Sequence, residues 1–240
     1  MNDMRPSPTE HAAVQAALTD PPWGAGDVLK AIALGLGLLI GGVVLVAVAR
    51  AGFDANATVV GLAFTGAAEL ALVAAAWRFS IFKHGVSWSA LGFRRLRLED
   101  ARWALPAGLI VSLAVAVVYA AVINGLGWAD DVRSDSFLDE GVAAMAVAVF
   151  LAVIVAPLAE ETFFRGFVFA GLRSRFGFKG AAIAASGLFA VAHIQPITFV
   201  PIFMIGFVLA WIYAGTGSLG AAILVHAAYN GVILALVLAT

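Results

Sequence analysis

Hydrophobic residues fall in long blocks along this chain, and the polar positions collect in the gaps between them. Seven blocks stand out, at about residues 28–49, 57–76, 103–124, 142–172, 180–195, 197–214 and 218–239. Most approach the roughly 20 apolar residues that a helix needs to cross a bilayer. The fourth is too long for one simple span, so it projects from the membrane or breaks near Pro157. The fifth is short if it ends before Pro196, which leaves room for an eighth or re-entrant segment. The pattern predicts an all-α polytopic transmembrane bundle of about seven membrane helices, within a range of six to eight. Residues 1–26, with Pro6, Pro8, Pro21 and Pro22, read as a flexible polar tail. The first apolar block follows that tail, has no short apolar core and lacks a small-residue cleavage site, so it is not read as a signal peptide. No internal repeat is visible, which weakens a transporter built from inverted halves.

Composition sharpens the membrane assignment. The chain is 62% hydrophobic and only 12% charged over 240 residues, where a soluble chain carries about a quarter charged residues. Its mean hydropathy is +1.00. A net charge of −1 gives no basic footprint for nucleic acid. The absence of cysteine removes disulfides, thiolate catalysis and thiolate metal sites together.

The distribution of Lys and Arg sets an expected orientation. Arg78, Lys83, Arg94, Arg95, Arg97 and Arg102 follow the second block, and Arg173, Arg175 and Lys179 follow the fourth. The alternate side carries only Arg50 and Arg133, the latter among Asp130, Asp131, Asp135, Asp139 and Glu140. Basic loops stay in the cytoplasm, so the N-terminus is expected inside a multi-pass cell membrane protein. Trp77, Trp103 and Trp128 sit at block ends, where aromatic residues anchor at the headgroups.

Few ionisable residues remain inside the blocks: Glu69, Glu160, Glu161, Arg165, His193 and His226. Placing a charged type there costs roughly 2.5 kcal/mol or more, so pairing or function is the default. Glu161 and Arg165 are four apart and share a helix face, which predicts a buried ion pair. Glu160 points about 100° away from Glu161 and is the carboxylate left for chemistry. A blander reading has all three snorkelling from a cytoplasmic helix end. His193 lies deep in the fifth block; on its own it could be a neutral core residue bonded to a carbonyl. If the fourth and fifth blocks form a hairpin near Phe176-Gly177, Glu160 and His193 each lie about 16 residues from the turn. At about 1.5 Å per residue, both then sit at one depth. His226 and Asn230 also share a face; the alternative for them is an interhelical hydrogen bond. Glu69 has no visible partner in its own helix and is read as structural, or as lining a cavity.

A carboxylate, two histidines and an amide converging between helices suit water activation beside a polarised carbonyl. A glutamate in apolar surroundings can accept a proton from water, a histidine can orient that water, and a second histidine with an amide can donate to the oxyanion. No G-x-S-x-G elbow, H-E-x-x-H motif or intramembrane aspartate pair competes with this reading. Two rivals from other classes are an idle scaffold that protects or regulates membrane partners, and a proton-coupled transporter using Glu69, Glu160 and the histidines.

Taken in order, Glu160-Glu161-Thr162-Phe163-Phe164-Arg165, Phe189-Ala190-Val191-Ala192-His193 and His226-Ala227-Ala228-Tyr229-Asn230 resemble the three motifs of the CPBP family of intramembrane proteases. That family includes the type II CAAX prenyl endopeptidases and membrane proteins associated with bacteriocin processing or immunity. The resemblance spans roughly residues 142–235, and Ser89-Ala90-Leu91-Gly92-Phe93 resembles a loop that often precedes the family's core. It implies a domain order of tail 1–26, N-terminal helices with a basic cytoplasmic loop 27–140, and a catalytic core 141–240. It also implies a membrane endopeptidase open towards the cytoplasm, acting on a peptide or protein with a membrane-associated segment. The catalytic set it implies is Glu160, Glu161, His193, His226 and Asn230, supported by Arg165. Glu160 would activate water with His193, while His226 and Asn230 would stabilise the oxyanion. Glu160, His193 and His226 also compose a His₂Glu set that could hold zinc, as in a metalloprotease, although the same residues work without a metal.

Overall fold

The structure, a computed structural model, describes residues 20–53, 56–128 and 141–238. Every regular element among them is helical. Helix α1 is Ala25–Phe53. Helix α2 is Ala57–Trp77, capped by the Asn56 side chain on the Val59 amide and continued by a wide π-turn at Arg78–Phe82. A short 3₁₀ turn, Trp88–Leu91, leads to α3, Leu98–Leu126. Residues 142–176 form α4 and residues 178–192 form α5, because Gly177, at φ 63° and ψ −177°, interrupts the helical run Ala170–Ala192. Helices α6, Phe199–Thr216, and α7, Leu219–Leu238, complete the bundle.

Among the described residues, six helical stretches are long and apolar enough to cross a membrane, the longest being Val142–Ala192. The chain is a multi-pass membrane protein. Gly177 divides that longest stretch into a hairpin where the sequence places one. Its φ/ψ combination is essentially confined to glycine, so the turn is written into this one residue.

The fourth block does not break at Pro157. A π-turn at Leu151–Val155 immediately precedes the proline and the helix continues through Ala156–Glu160. The wide turn accommodates the ring and the missing amide hydrogen that would kink an ordinary helix. A second and longer π-helical stretch follows at Glu161–Phe169, and all nine of its residues are buried. The fifth block ends at Ala192, so His193 caps α5 rather than lying deep within it. Ile194 has φ 55°, an unfavourable value for a β-branched residue, and Gln195 before Pro196 is extended, so the helix cannot continue.

Residues 161–169 form the axis of the bundle. Phe163, Phe164, Phe167 and Phe169 pack with Trp23, Leu91, Phe189 and Tyr213 in the main core. A second core joins α3, α6 and α7 through Ala104, Leu209, Ile212, Ala221 and Val225. The loop Ser89-Ala90-Leu91-Gly92-Phe93 is stitched to the main core. Tyr213 donates to the Leu91 carbonyl at 3.2 Å, and the Leu219 amide donates to the Gly92 carbonyl at 2.8 Å.

The tail assignment needs correction at its C-terminal end. Trp23 is buried, stacks on Phe167 and donates from Nε1 to the Phe167 carbonyl at 2.9 Å. Asp27 then pairs with Lys83 and with His84, the latter at 3.0 Å, tying the start of α1 to the end of α2. Residues 1–19 and the acidic run around Arg133 lie outside the described residues.

Candidate active site

The chemistry of this bundle begins on the buried stretch 161–169 and the residue before it. Glu161 and Arg165 are fully buried and pair at 2.8 Å, as their spacing predicts. Arg165 also donates from Nη2 to the Gly206 carbonyl at 3.0 Å, and its guanidinium lies 4.4 Å from the Phe189 ring centroid. One cation is therefore held by a carboxylate, a carbonyl and an aromatic face. This is the kind of compensation a buried charge requires.

His226 reaches the same carboxylate from α7, with Nδ1 at 2.9 Å from Glu161 Oε1. A carboxylate only accepts, so Nδ1 carries the hydrogen and Nε2 is left facing Glu160 Oε2 at 3.6 Å. That separation is too long for a good direct hydrogen bond and suits a molecule engaged by both groups. Glu160 itself is half-buried. The two adjacent carboxylates thus have separate surroundings: Glu161 is committed to Arg165 and His226, and Glu160 faces a cavity.

That cavity, about 340 Å³, is lined by Glu69, Glu160, His193, His226 and Asn230 among small and apolar side chains of α2 and α4. His193 arrives from the end of α5 and is the exposed member of the set. Its Nδ1 lies 2.8 Å from the Phe189 carbonyl, which fixes the hydrogen on Nδ1 and leaves Nε2 as an acceptor. Asn230 donates from Nδ2 to the Ala152 carbonyl at 2.9 Å, within the first π-turn of α4. The other hydrogen of that amide remains for the cavity. Both π-helical stretches of α4 therefore offer a backbone carbonyl to a side chain from elsewhere in the chain, Ala152 to Asn230 on α7 and Phe167 to Trp23 just before α1.

The structure brings Glu160, His193, His226 and Asn230 to one cavity, with Glu161 and Arg165 directly behind them. It adds Glu69, which the sequence leaves between a structural and a cavity-lining role. The available signal was the cost of a carboxyl in the middle of an apolar block, with no partner four residues away. Each imidazole keeps Nε2 for the cavity. Yet among the described residues no three His, Asp or Glu side chains are grouped closely enough to hold one metal ion. The donor set does not fit zinc as arranged, and no step below runs through a metal.

Together the fold and the cavity define a polytopic helical membrane protein that gathers carboxyl, imidazole and amide side chains at one cavity inside its bundle. Residues 142–232, which carry all three motifs, match the family model described as Rce1-like, type II CAAX prenyl endopeptidase Rce1-like. Over that stretch the chain is similar to a CAAX protease-type domain, the family its motifs resemble. Neither the curated proteins nor the solved structures compared with the chain gave a match.

Proposed function

We propose that the protein is an intramembrane endopeptidase that hydrolyses a peptide bond by glutamate-activated water. The observation that carries this reading is the shared cavity, in which Glu160 faces two imidazoles and an amide drawn from separate helices. Glu160 takes a proton from water held near His193 Nε2, and the water oxygen attacks the substrate carbonyl. The second Asn230 N–H and His226 Nε2–H donate to the developing oxyanion. Donation from Nε2 while Nδ1 still bonds Glu161 requires the ring to carry both hydrogens. The Glu161 carboxylate offsets that charge, and Arg165 holds the carboxylate in place. Glu161 and Arg165 are thus positioning residues.

The substrate is a peptide or protein with a membrane-associated segment, for which a prenylated CAAX tail is the first class to test, given the family description. The protein resides in the cell membrane with its basic loops in the cytoplasm. Purified full-length protein in proteoliposomes, offered a fluorogenic peptide with a prenylated tail, tests the activity. Glu160→Gln and His226→Ala should each lower kcat by at least about 10²-fold, the scale of losing a general base or an oxyanion donor. Turnover should survive a metal chelator. Activity in both variants equal to that of the unaltered protein would reject the mechanism.

A further inference from the structure

Glu69 is the one buried carboxyl at this site to which the mechanism above gives no task. It lies in the middle of α2, where Leu62, Thr65 and Glu69 share the face that forms one wall of the cavity. The residue is 8% exposed, and its Oε2 atom is buried with no hydrogen-bond partner among the described residues. A structural carboxyl in a membrane bundle bonds to that bundle, because an unpaired polar atom there costs several kcal/mol. The nearby cation, Arg165, is already held by Glu161 and by the Gly206 carbonyl. The free Glu69 oxygen therefore calls for a partner that enters the cavity. Glu160 lines the same cavity from α4 and lies within electrostatic reach of Glu69. Carboxyls facing one another in an apolar enclosure hold one proton between them rather than two negative charges.

We propose that Glu69 is a second catalytic carboxyl, which protonates the nitrogen of the departing amine while Glu160 deprotonates the attacking water. The inference rests on the proteolytic reading and deepens it. The cycle starts with Glu160 ionised and Glu69 protonated. Water gives a proton to Glu160 as its oxygen bonds to the carbonyl carbon, leaving a tetrahedral oxyanion. That oxyanion re-forms its C=O bond, the C–N bond breaks, and the nitrogen keeps the electron pair and takes the Glu69 proton. The products are a carboxylic acid and an amine. Glu160 now holds a proton and Glu69 is ionised, so passage of one proton between them restores the starting state. The substrate then lies between α2 and α4, with its scissile nitrogen towards α2.

The test uses two probes with the same acyl side and the same lipid tail, a peptide amide and a 4-nitrophenyl ester, on full-length protein in proteoliposomes. An amine must be protonated to leave, whereas nitrophenolate leaves without a proton. Glu69→Gln should lower kcat on the amide by roughly 10²–10⁴-fold and change the ester rate by less than about threefold. Glu160→Gln should lower both. Glu69→Asp, which keeps the acid on a shorter arm, should show an intermediate amide rate, and it preserves the test if the Gln variant folds poorly. Equal losses on amide and ester, or no loss on either, would overturn the role of Glu69 and leave the protease standing. Failure of the unaltered protein to cleave the amide would overturn the proteolytic reading, and this inference with it.

Discussion

At the residue scale, the site depends on a cation that cannot do without its partners. Arg165 is 1% exposed and bonded to Glu161, itself bonded to His226. Truncating it leaves a buried carboxylate without its charge partner, an effect of about 3–5 kcal/mol. Arg165→Ala should therefore lower the thermal midpoint in detergent by several degrees and abolish cleavage. Arg165→Lys keeps the charge but has no planar fork to span Glu161 and Gly206, so its losses should be smaller in both measurements. Unchanged stability in the Ala variant would show that the Glu161 pair does not support the bundle. The pair was legible in the sequence because spacing of four on a helix is local information. The contact of His226 with Glu161 was not, because 65 residues separate them and only tertiary packing brings them together.

At the element scale, two glycines hold α4, the helix of Glu160 and Glu161, in place for different physical reasons. A Cβ on Gly166 would come within 2.8 Å of the Leu91 carbonyl oxygen, so side-chain bulk would push the 88–93 loop off the helix. A Cβ on Gly177 would meet nothing within 4 Å, yet the φ of 63° there disfavours any side chain. Both Gly166→Ala and Gly177→Ala should cost about 1–3 kcal/mol, the first through overpacking and the second through backbone strain. Gly177→Asn should do no better than Gly177→Ala, since Asn tolerates positive φ in the left-handed helical region and ψ −177° lies outside it, whereas Gly166→Asn should be worse than Gly166→Ala. Thermal midpoints of the four variants check the distinction. The hairpin itself was visible in advance from the basic residues and Phe176-Gly177. The π-helical stretches were not, because apolar periodicity over residues 142–172 reads the same whether one residue is added to a turn or not. His193 was placed too deep for a related reason: hydropathy continues past the point where Ile194 and Pro196 end the helix.

At the scale of the whole molecule, the apolar blocks predicted the bundle and the number of its helices closely. A block longer than a bilayer is thick has few alternatives to a helix that projects or turns. Which helices meet was less legible, since apolar faces in lipid carry little pairing information. The orientation is open to a direct measurement, because the chain contains no cysteine. Single cysteines placed at Ser87, beside the 3₁₀ turn, and at Ser174, beside the Gly177 turn, should resist an impermeant thiol reagent added outside intact cells. Both should label after the membrane is opened, and labelling from outside would invert the proposed topology.

The wide turns of α4 carry a consequence for anyone who edits this chain. A π-turn holds one residue more than an ordinary helical turn, so it takes up an extra residue while the parts of the rod on either side keep their facing. Deleting a single residue from 161–169 therefore lets the helix tighten to ordinary pitch with Glu160 still in phase with the segment that leads to Gly177. The same deletion from the ordinary stretch Val142–Phe150 would swing one side against the other by about 100°, the angle one residue subtends on a helix. The register of α4 should therefore be most sensitive to deletion where the rod is most continuously apolar, in the part that looks most forgiving to hydropathy alone.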